Sequence, residues 1–288
     1  MKRLWPRPRF FLWSAIFLLA VSAVAQQHAP AASAARILLV PRKMTSAEHA
    51  TLAVLDVNGR LTPGVTIQFS NGDKVTTDQT GRALFVAPLT EGPLFASIAG
   101  RPGRVATAIL PVHGSPSATQ VELAPRVASL TDRFELTGSG FCGDADKNEV
   151  TVGGEPALVL ASSPDALVIL PPMDTSAGVA DVSVSCGKQA AAQLKILFVE
   201  LKLDADTSPL QPGQKRTLRV TVTGTEEKIS LEARNLSPEI ADLADGNVAR
   251  SLSSGGETNI AEFSVTGKKR GKFLISIRLT PTKMKLTR

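Results

Sequence analysis

The sequence contains no tyrosine, and its two tryptophans, Trp5 and Trp13, both stand in the first 13 residues. From residue 26 onward, eight phenylalanines are the only aromatic side chains. Sugar platforms and single-strand nucleic-acid sites rely on exposed aromatic faces for stacking. That shortage excludes a stacking mode of recognition, and no nucleic-acid partner is expected.

Histidine is equally scarce. His28, His49 and His113 fall in a leading tail, a turn and a linker, without H-E-x-x-H, H-x-H or Cys/His ligand spacing. Ser139 lies in Gly-Ser-Gly without the G-x-S-x-G frame of a hydrolase nucleophile, and there is no P-loop. Carboxylate pairs occur at Asp144 with Asp146 and at Glu226 with Glu227, but nothing in the sequence places either in a cleft. No catalytic, cofactor-binding or metal site is expected, and the chain is read as not an enzyme.

Long apolar runs are lacking too. The longest, from Phe10 to about Ala23, is interrupted by Ser14 and Ser22 and falls short of the roughly 18 residues a spanning helix needs. It follows Lys2, Arg3, Arg7 and Arg9 and precedes the small-residue pattern Ala23-Val24-Ala25, the plan of a secretory signal peptide. Residues 1–25 are read as that peptide, cleaved after Ala25, with retention as an N-terminal anchor as the alternative. No later segment is apolar enough to span a membrane, so no stable transmembrane segment is expected after cleavage. The mature chain is expected to be exported, to the medium, the cell surface or the periplasm.

Cleavage removes four basic residues and no acid, lowering the formal charge from +6 to +2. What remains is uneven: +3 over residues 26–121, −5 over 122–198 and +4 over 199–288. Alternating signs point to separate domains and away from a polyanion-binding surface. Only two cysteines occur, Cys142 and Cys186. In an oxidising compartment one disulfide is the default, with two buried thiols as the alternative. Closing a loop of this length stabilises a fold by about 4 kcal/mol in the chain-entropy model.

Between frequent Gly, Pro and Asn-Gly punctuation the hydrophobic period is two. Leu218, Val220 and Val222 alternate with polar neighbours, as do Phe273, Ile275, Ile277 and Leu279, and Val182 and Val184. Val182 and Val184 set a parity that puts Cys186 on an inner face. Only SPEIADLAD hints at helical spacing, for a turn or two. The pattern predicts an all-β protein of tandem Ig-like β-sandwiches. The expected divisions are a signal peptide at 1–25, a flexible lead-in at 26–35, a first sandwich at 36–112, a linker at 113–123, a second sandwich at 124–197 and a third at 198–288. The joint near Leu197 has little linker and is expected to be stiffer than the one near residue 115.

Residues 37–112, with D-x-N-G-x-x-x-P-G-V from Asp56 and T-x-D-x-x-G-x-A from Thr76, resemble the bacterial Ig-like repeats of invasin and intimin. Transthyretin-like carboxypeptidase regulatory domains share much of this pattern. Residues 125–197 resemble an IPT/TIG domain through LTGSGF, NEVTVGGEPALVL, ALVILPP and GVADVSVSCG. That resemblance implies an Ig-like sandwich of the kind found in surface receptors, secreted enzymes and transcription factors. The third sandwich matches no family pattern.

The stretch GSGFCGDADKNEV, from Gly138 to Val150, also matches G-x-G-x-x-G and imitates an EF-hand series through Asp144, Asp146, Asn148 and Glu155. A dinucleotide loop would open a helix here, whereas an alternating strand follows. An EF-hand needs Gly where Glu149 stands. The stretch is therefore read as a turn in a sandwich, with a looser calcium site on Asp144 and Asp146 left open.

One cationic cluster remains: Lys268, Lys269, Arg270 and Lys272, followed by Arg278, Lys283, Lys285 and Arg288 with no acid after Glu262. It is a candidate anion-binding patch; the alternative is a solvated hairpin tip followed by lysines that protect a C-terminal edge strand. The expected function is non-enzymatic and modular, adhesive, structural or ligand-binding, with an envelope or extracellular protein or glycan as partner. The competing reading is an accessory binding subunit of a secreted or surface, polysaccharide-active enzyme complex.

Overall fold

The computed structural model describes residues 37–112, 114, 118–206, 208–227, 229–244, 248–251, 259–280 and 282–286. The segments read as signal peptide and lead-in, His28, His113, part of the expected linker and Arg288 lie outside the described residues. The fold is all-β, and the described residues contain no α-helix.

The first sandwich contains β1 (Ile37–Leu39), β2 (Lys43–Thr45), β3 (His49–Leu55), β4 (Thr66–Phe69), β5 (Lys74–Thr76), β6 (Arg82–Val86), β7 (Gly92–Ile98) and β8 (Val105–Leu110). The second follows with β9 (Gln120–Pro125), β10 (Val127–Ser129), β11 (Phe134–Ser139), β12 (Asn148–Val152), β13 (Glu155–Pro156), β14 (Leu158–Ser163), β15 (Ala166–Leu170) and β16 (Gly178–Cys186). Next come β17 (Ala192–Asp204), β18 (Lys215–Thr223), β19 (Ser230–Asn235), β20 (Ala241–Leu243), β21 (Val248–Ser251), β22 (Asn259–Gly267), β23 (Ile275–Leu279) and β24 (Lys283–Lys285).

Each sandwich has its own core. The first packs Met44, Leu52, Val54, Ile67 and Phe69, with the Phe69 and Phe85 rings stacked at 4.1 Å. The second packs Leu136, Val150, Ile169, Val182, Val184 and Ile196 around the edge-to-face pair Phe134 and Phe198. The third packs Val199, Val220, Val222, Leu231, Phe263 and Val265. The alternation read in β18 and β16 is the alternation of burial, while β23 is only half-buried. In SPEIADLAD the helical hint amounts to one turn, Ser237 to Ile240, after which Ala241 enters β20.

The sheets run from one sandwich into the next. One has the order β1-β3-β14-β15-β11-β9-β24, with β6 on the other side of β3, so it belongs to both the first and second sandwiches. Another, β13-β12-β16-β17-β18-β22-β20, serves the second and third. Sheets β2-β8-β7-β4-β5 and β21-β19-β23 complete the outer layers.

Strand β17 shows how two cores share one element. Its even positions, Leu194, Ile196 and Phe198, enter the second core, whereas Leu197, Val199 and Leu201 face the third. Successive side chains leave a strand on opposite faces, so a single extended segment supplies two interiors. The division expected at 197/198 therefore falls inside a continuous strand.

The last strand, β24, lies outside the third sandwich's sheets and pairs antiparallel with β9, with Met284 and Leu286 packed on the second core. The range 198–288 is thus not one closed unit: Met284 and Leu286 find their apolar cover in the second core. The joint near residue 115 is also firmly packed, because its contacts come from residues remote from the connecting segment. Thr51 pairs with Ser162 across the joint, and Leu39, Ala53, Leu55, Leu160, Ala161 and Val168 form an apolar cluster there. This explains why β3 is buried on both faces from Ala50 to Leu55.

Candidate functional site

The glycines of GSGFCG are structural. A Cβ at Gly138 would collide with the Gln120 carbonyl oxygen, and one at Gly143 with that of His49. Gly140 holds φ +78°. The first two positions exclude any side chain by contact, and the third favours glycine by conformation. After them Asp144 caps a single turn of 3-10 helix, Ala145–Lys147, which leads directly into β12. Asp146 pairs with Arg82 at 2.8 Å, and Asp144 receives the Asp146 amide at 3.2 Å. Both carboxylates thus serve the turn and the joint. Glu155 sits in β13, paired by register with Val152.

Cys142 and Cys186 form a disulfide, their Cα atoms 5.3 Å apart. It ties the loop after β11 to the end of β16. Asn148, at the start of β12, accepts the Cys142 amide at 2.8 Å and donates to its carbonyl at 2.8 Å, fixing the loop beside the bridge.

The C-terminal cations fall in two places. Lys268, Lys269, Arg270 and Lys272 are exposed in the connection between β22 and β23, where Lys268 pairs with Asp242 at 2.7 Å and donates to the Pro238 carbonyl at 3.0 Å. Arg278 and Lys283 instead face a separate cleft. Lys283 and Lys285 lie on β24, an edge strand.

That cleft has a volume of about 1110 Å³, and residues of all three sandwiches line it. The first contributes β1, Arg42 and the 57–59 turn; the second contributes β10 and residues 131–135; the third contributes Leu201, Leu203, Val220 and β23. Its floor is aliphatic and its wall is charged.

Six ionisable side chains line it: Arg42, Asp132, Arg133, Glu135, Arg278 and Lys283. Arg42 Nε lies 2.7 Å and Lys283 Nζ 3.8 Å from Glu135 Oε2. Arg133 Nη1 lies 3.2 Å and Arg278 Nε 3.8 Å from the two oxygens of Asp132. Glu135 Oε1 is buried without a hydrogen-bond partner. Four cations therefore share two carboxylates, an excess of two positive charges. Burial lowers the pKa of Arg133; the Asp132 charge opposes this and the Arg278 charge adds to it. Removal from water penalises a guanidinium unless a full set of acceptors replaces it.

No sequence motif announced Arg42, Asp132, Arg133 and Glu135. Asp132, Arg133 and Glu135 are close in sequence, but Arg42 and Arg278 reach them only through the packing of the three sandwiches. The one local signal is Glu135, which follows inward-facing Phe134 and so must leave the other face of β11.

Tandem Ig-like sandwiches define the class. The family model of the IPT/TIG domain matches residues 123–198, so the chain carries an IPT/TIG domain at its centre. No curated protein matches the chain. Among solved structures, SGBP-B of the Bacteroides ovatus mixed-linkage glucan utilization locus, in complex with a mixed-linkage heptasaccharide, is similar at 12% identity and a TM-score of 0.31, over 85% of this chain and 74% of that chain. The S-layer protein rSbsC is similar at 15% identity and a TM-score of 0.20, over 88% of this chain and 39% of that chain. The N-terminal four Ig domains of Dscam1 isoform 6.9 are similar at 10% identity and a TM-score of 0.25, over 81% of this chain and 72% of that one.

Proposed function

We propose that this chain is a non-enzymatic, exported modular protein that binds an envelope or extracellular macromolecule through a surface assembled jointly by its Ig-like sandwiches. The observation that carries this reading is the cleft at the junction, whose charged wall draws on Arg42, Arg133 and Arg278 from three different sandwiches. The Arg42–Glu135 and Arg278–Asp132 pairs link these groups across the sandwiches, so the surface is formed before a partner arrives, which reduces the ordering cost of binding. The Cys142–Cys186 bridge suits an oxidising compartment. No helix among the described residues is long and apolar enough to cross a membrane.

The test is chemical cross-linking of the native chain on intact cells, followed by mass spectrometry of the adducts. Reproducible protein or glycan adducts near the junction are expected. Recovery of the chain from the medium as a free monomer with no adduct overturns the reading.

A further inference from the structure

Two edge strands line the junction. Among the described residues β1 pairs only with β3, and β23 only with β19, and both strands line the cleft. An edge strand presents a row of backbone donors and acceptors that can template a further strand. In the stretch ISIRL of β23, Arg278 is the one charged residue.

The charge of the cleft selects what could pair there. Asp132 is divided between Arg133 and Arg278, and Glu135 between Arg42 and Lys283. The nearest further carboxylate by register is exposed Glu232, opposite Arg278 on β19 and outside the cleft lining. The side chain of Arg133 is only 19% exposed and has a second guanidinium beside the same carboxylate. Attraction for an incoming carboxylate is stronger at such a half-buried position than in open water.

The floor favours a peptide over a sugar. Ile37, Leu201, Ile275 and Ile277 are half-buried aliphatic residues, and the one ring in the lining, Phe134, is buried in the second core. An extended strand alternates its side chains, so it can seat aliphatic residues on this floor while turning acidic ones to the wall.

We propose that the junction cleft binds an extended acidic peptide segment of a partner protein, its backbone pairing with the free edge of β23 and its carboxylates meeting Arg133 and Arg278. This rests on the reading of the chain as a modular binding protein and adds the class of ligand.

The experiment titrates the mature chain into a fluorescently labelled octapeptide of alternating valine and glutamate and reads anisotropy at moderate salt. Saturable binding is expected, with an alternating valine and lysine peptide inert. Arg278→Glu, at a half-exposed position, weakens binding at least ten-fold. The double variant Lys269→Glu and Arg270→Glu, outside the cleft, stays within two-fold of the parent. Absence of saturable binding, or equal loss from the Lys269 and Arg270 variant, overturns the proposal. Displacement of the peptide by an equimolar polygalacturonate oligosaccharide would also overturn it, assigning the cleft to an anionic glycan. If the peptide fails while cell-surface adducts persist, the modular-binding reading stands and only the ligand assignment falls.

Discussion

Thr51 reaches across the joint between the first two sandwiches to Gly143. Its hydroxyl donates to the Gly143 carbonyl at 2.8 Å and accepts the Ala145 amide at 2.9 Å. Around this pair Thr45 donates to Asp165 Oδ2 at 2.7 Å, and Ser163 to the Lys43 carbonyl at 2.6 Å. The joint is thus latched by short hydroxyl side chains that add little rotamer entropy cost and satisfy buried backbone groups.

Thr51→Val keeps the shape and removes both bonds. The Gly143 carbonyl retains Ser162 at 2.8 Å, but the Ala145 amide loses its acceptor. Leaving a buried donor unsatisfied costs about 1–3 kcal/mol. Urea denaturation should show that loss; an unchanged midpoint would mean that water takes over the amide.

Gly143→Ala tests the close approach of the backbones. The added methyl meets the His49 carbonyl, so the second sandwich must withdraw from the first. Overpacking of this kind costs about 1–3 kcal/mol. Solution X-ray scattering should report an increased radius of gyration along with the lower stability.

Reducing the Cys142–Cys186 bridge frees a loop between residues 44 apart in sequence. The expected loss is about 2–4 kcal/mol, read as a lower urea midpoint in reductant. The double variant Cys142→Ala, Cys186→Ala should match the reduced protein and no longer respond to reductant.

Asp78 carries a pH signature. Slight burial pushes its carboxyl up, but the Thr80 hydroxyl, the amides of Thr80 and Arg82, and the Arg82 charge together outweigh that, and its pKa falls below the ordinary 3.8. A depressed carboxyl contributes stability above its unfolded value and loses that contribution as pH falls through the folded one. Carboxyl NMR should give a midpoint below 3.8, and Asp78→Asn should flatten this part of the acid limb. The group is exposed, so the effect is well under about 1 kcal/mol.

The strands were legible because their signal is local. Val182 and Val184, or Leu218, Val220 and Val222, declare a buried face within a few residues. The central IPT/TIG resemblance rests on motifs such as LTGSGF, and the cysteine pairing on an even count. Arg42 and Glu135 are 93 residues apart in sequence and only 2.7 Å apart in space, and no periodicity encodes such a meeting. The same limit hid the partner of β24, whose Lys283 and Lys285 suggest an edge strand but name no neighbour. β3 is buried on both faces from Ala50 to Leu55, and the cover of its second face comes from the neighbouring sandwich, which no local pattern names.

The pairing of β24 with β9 also sets a timetable. The second sandwich begins its outer sheet with Gln120–Pro125 and receives the last strand only with Lys283–Lys285. At synthesis rates of about 5–20 residues per second, roughly 8–30 s separate the two strands. During that interval the third sandwich is made in full while one rim of the second is still open. The nascent middle domain must wait for Lys283–Lys285, and a chain cut before them carries an unguarded edge on β9.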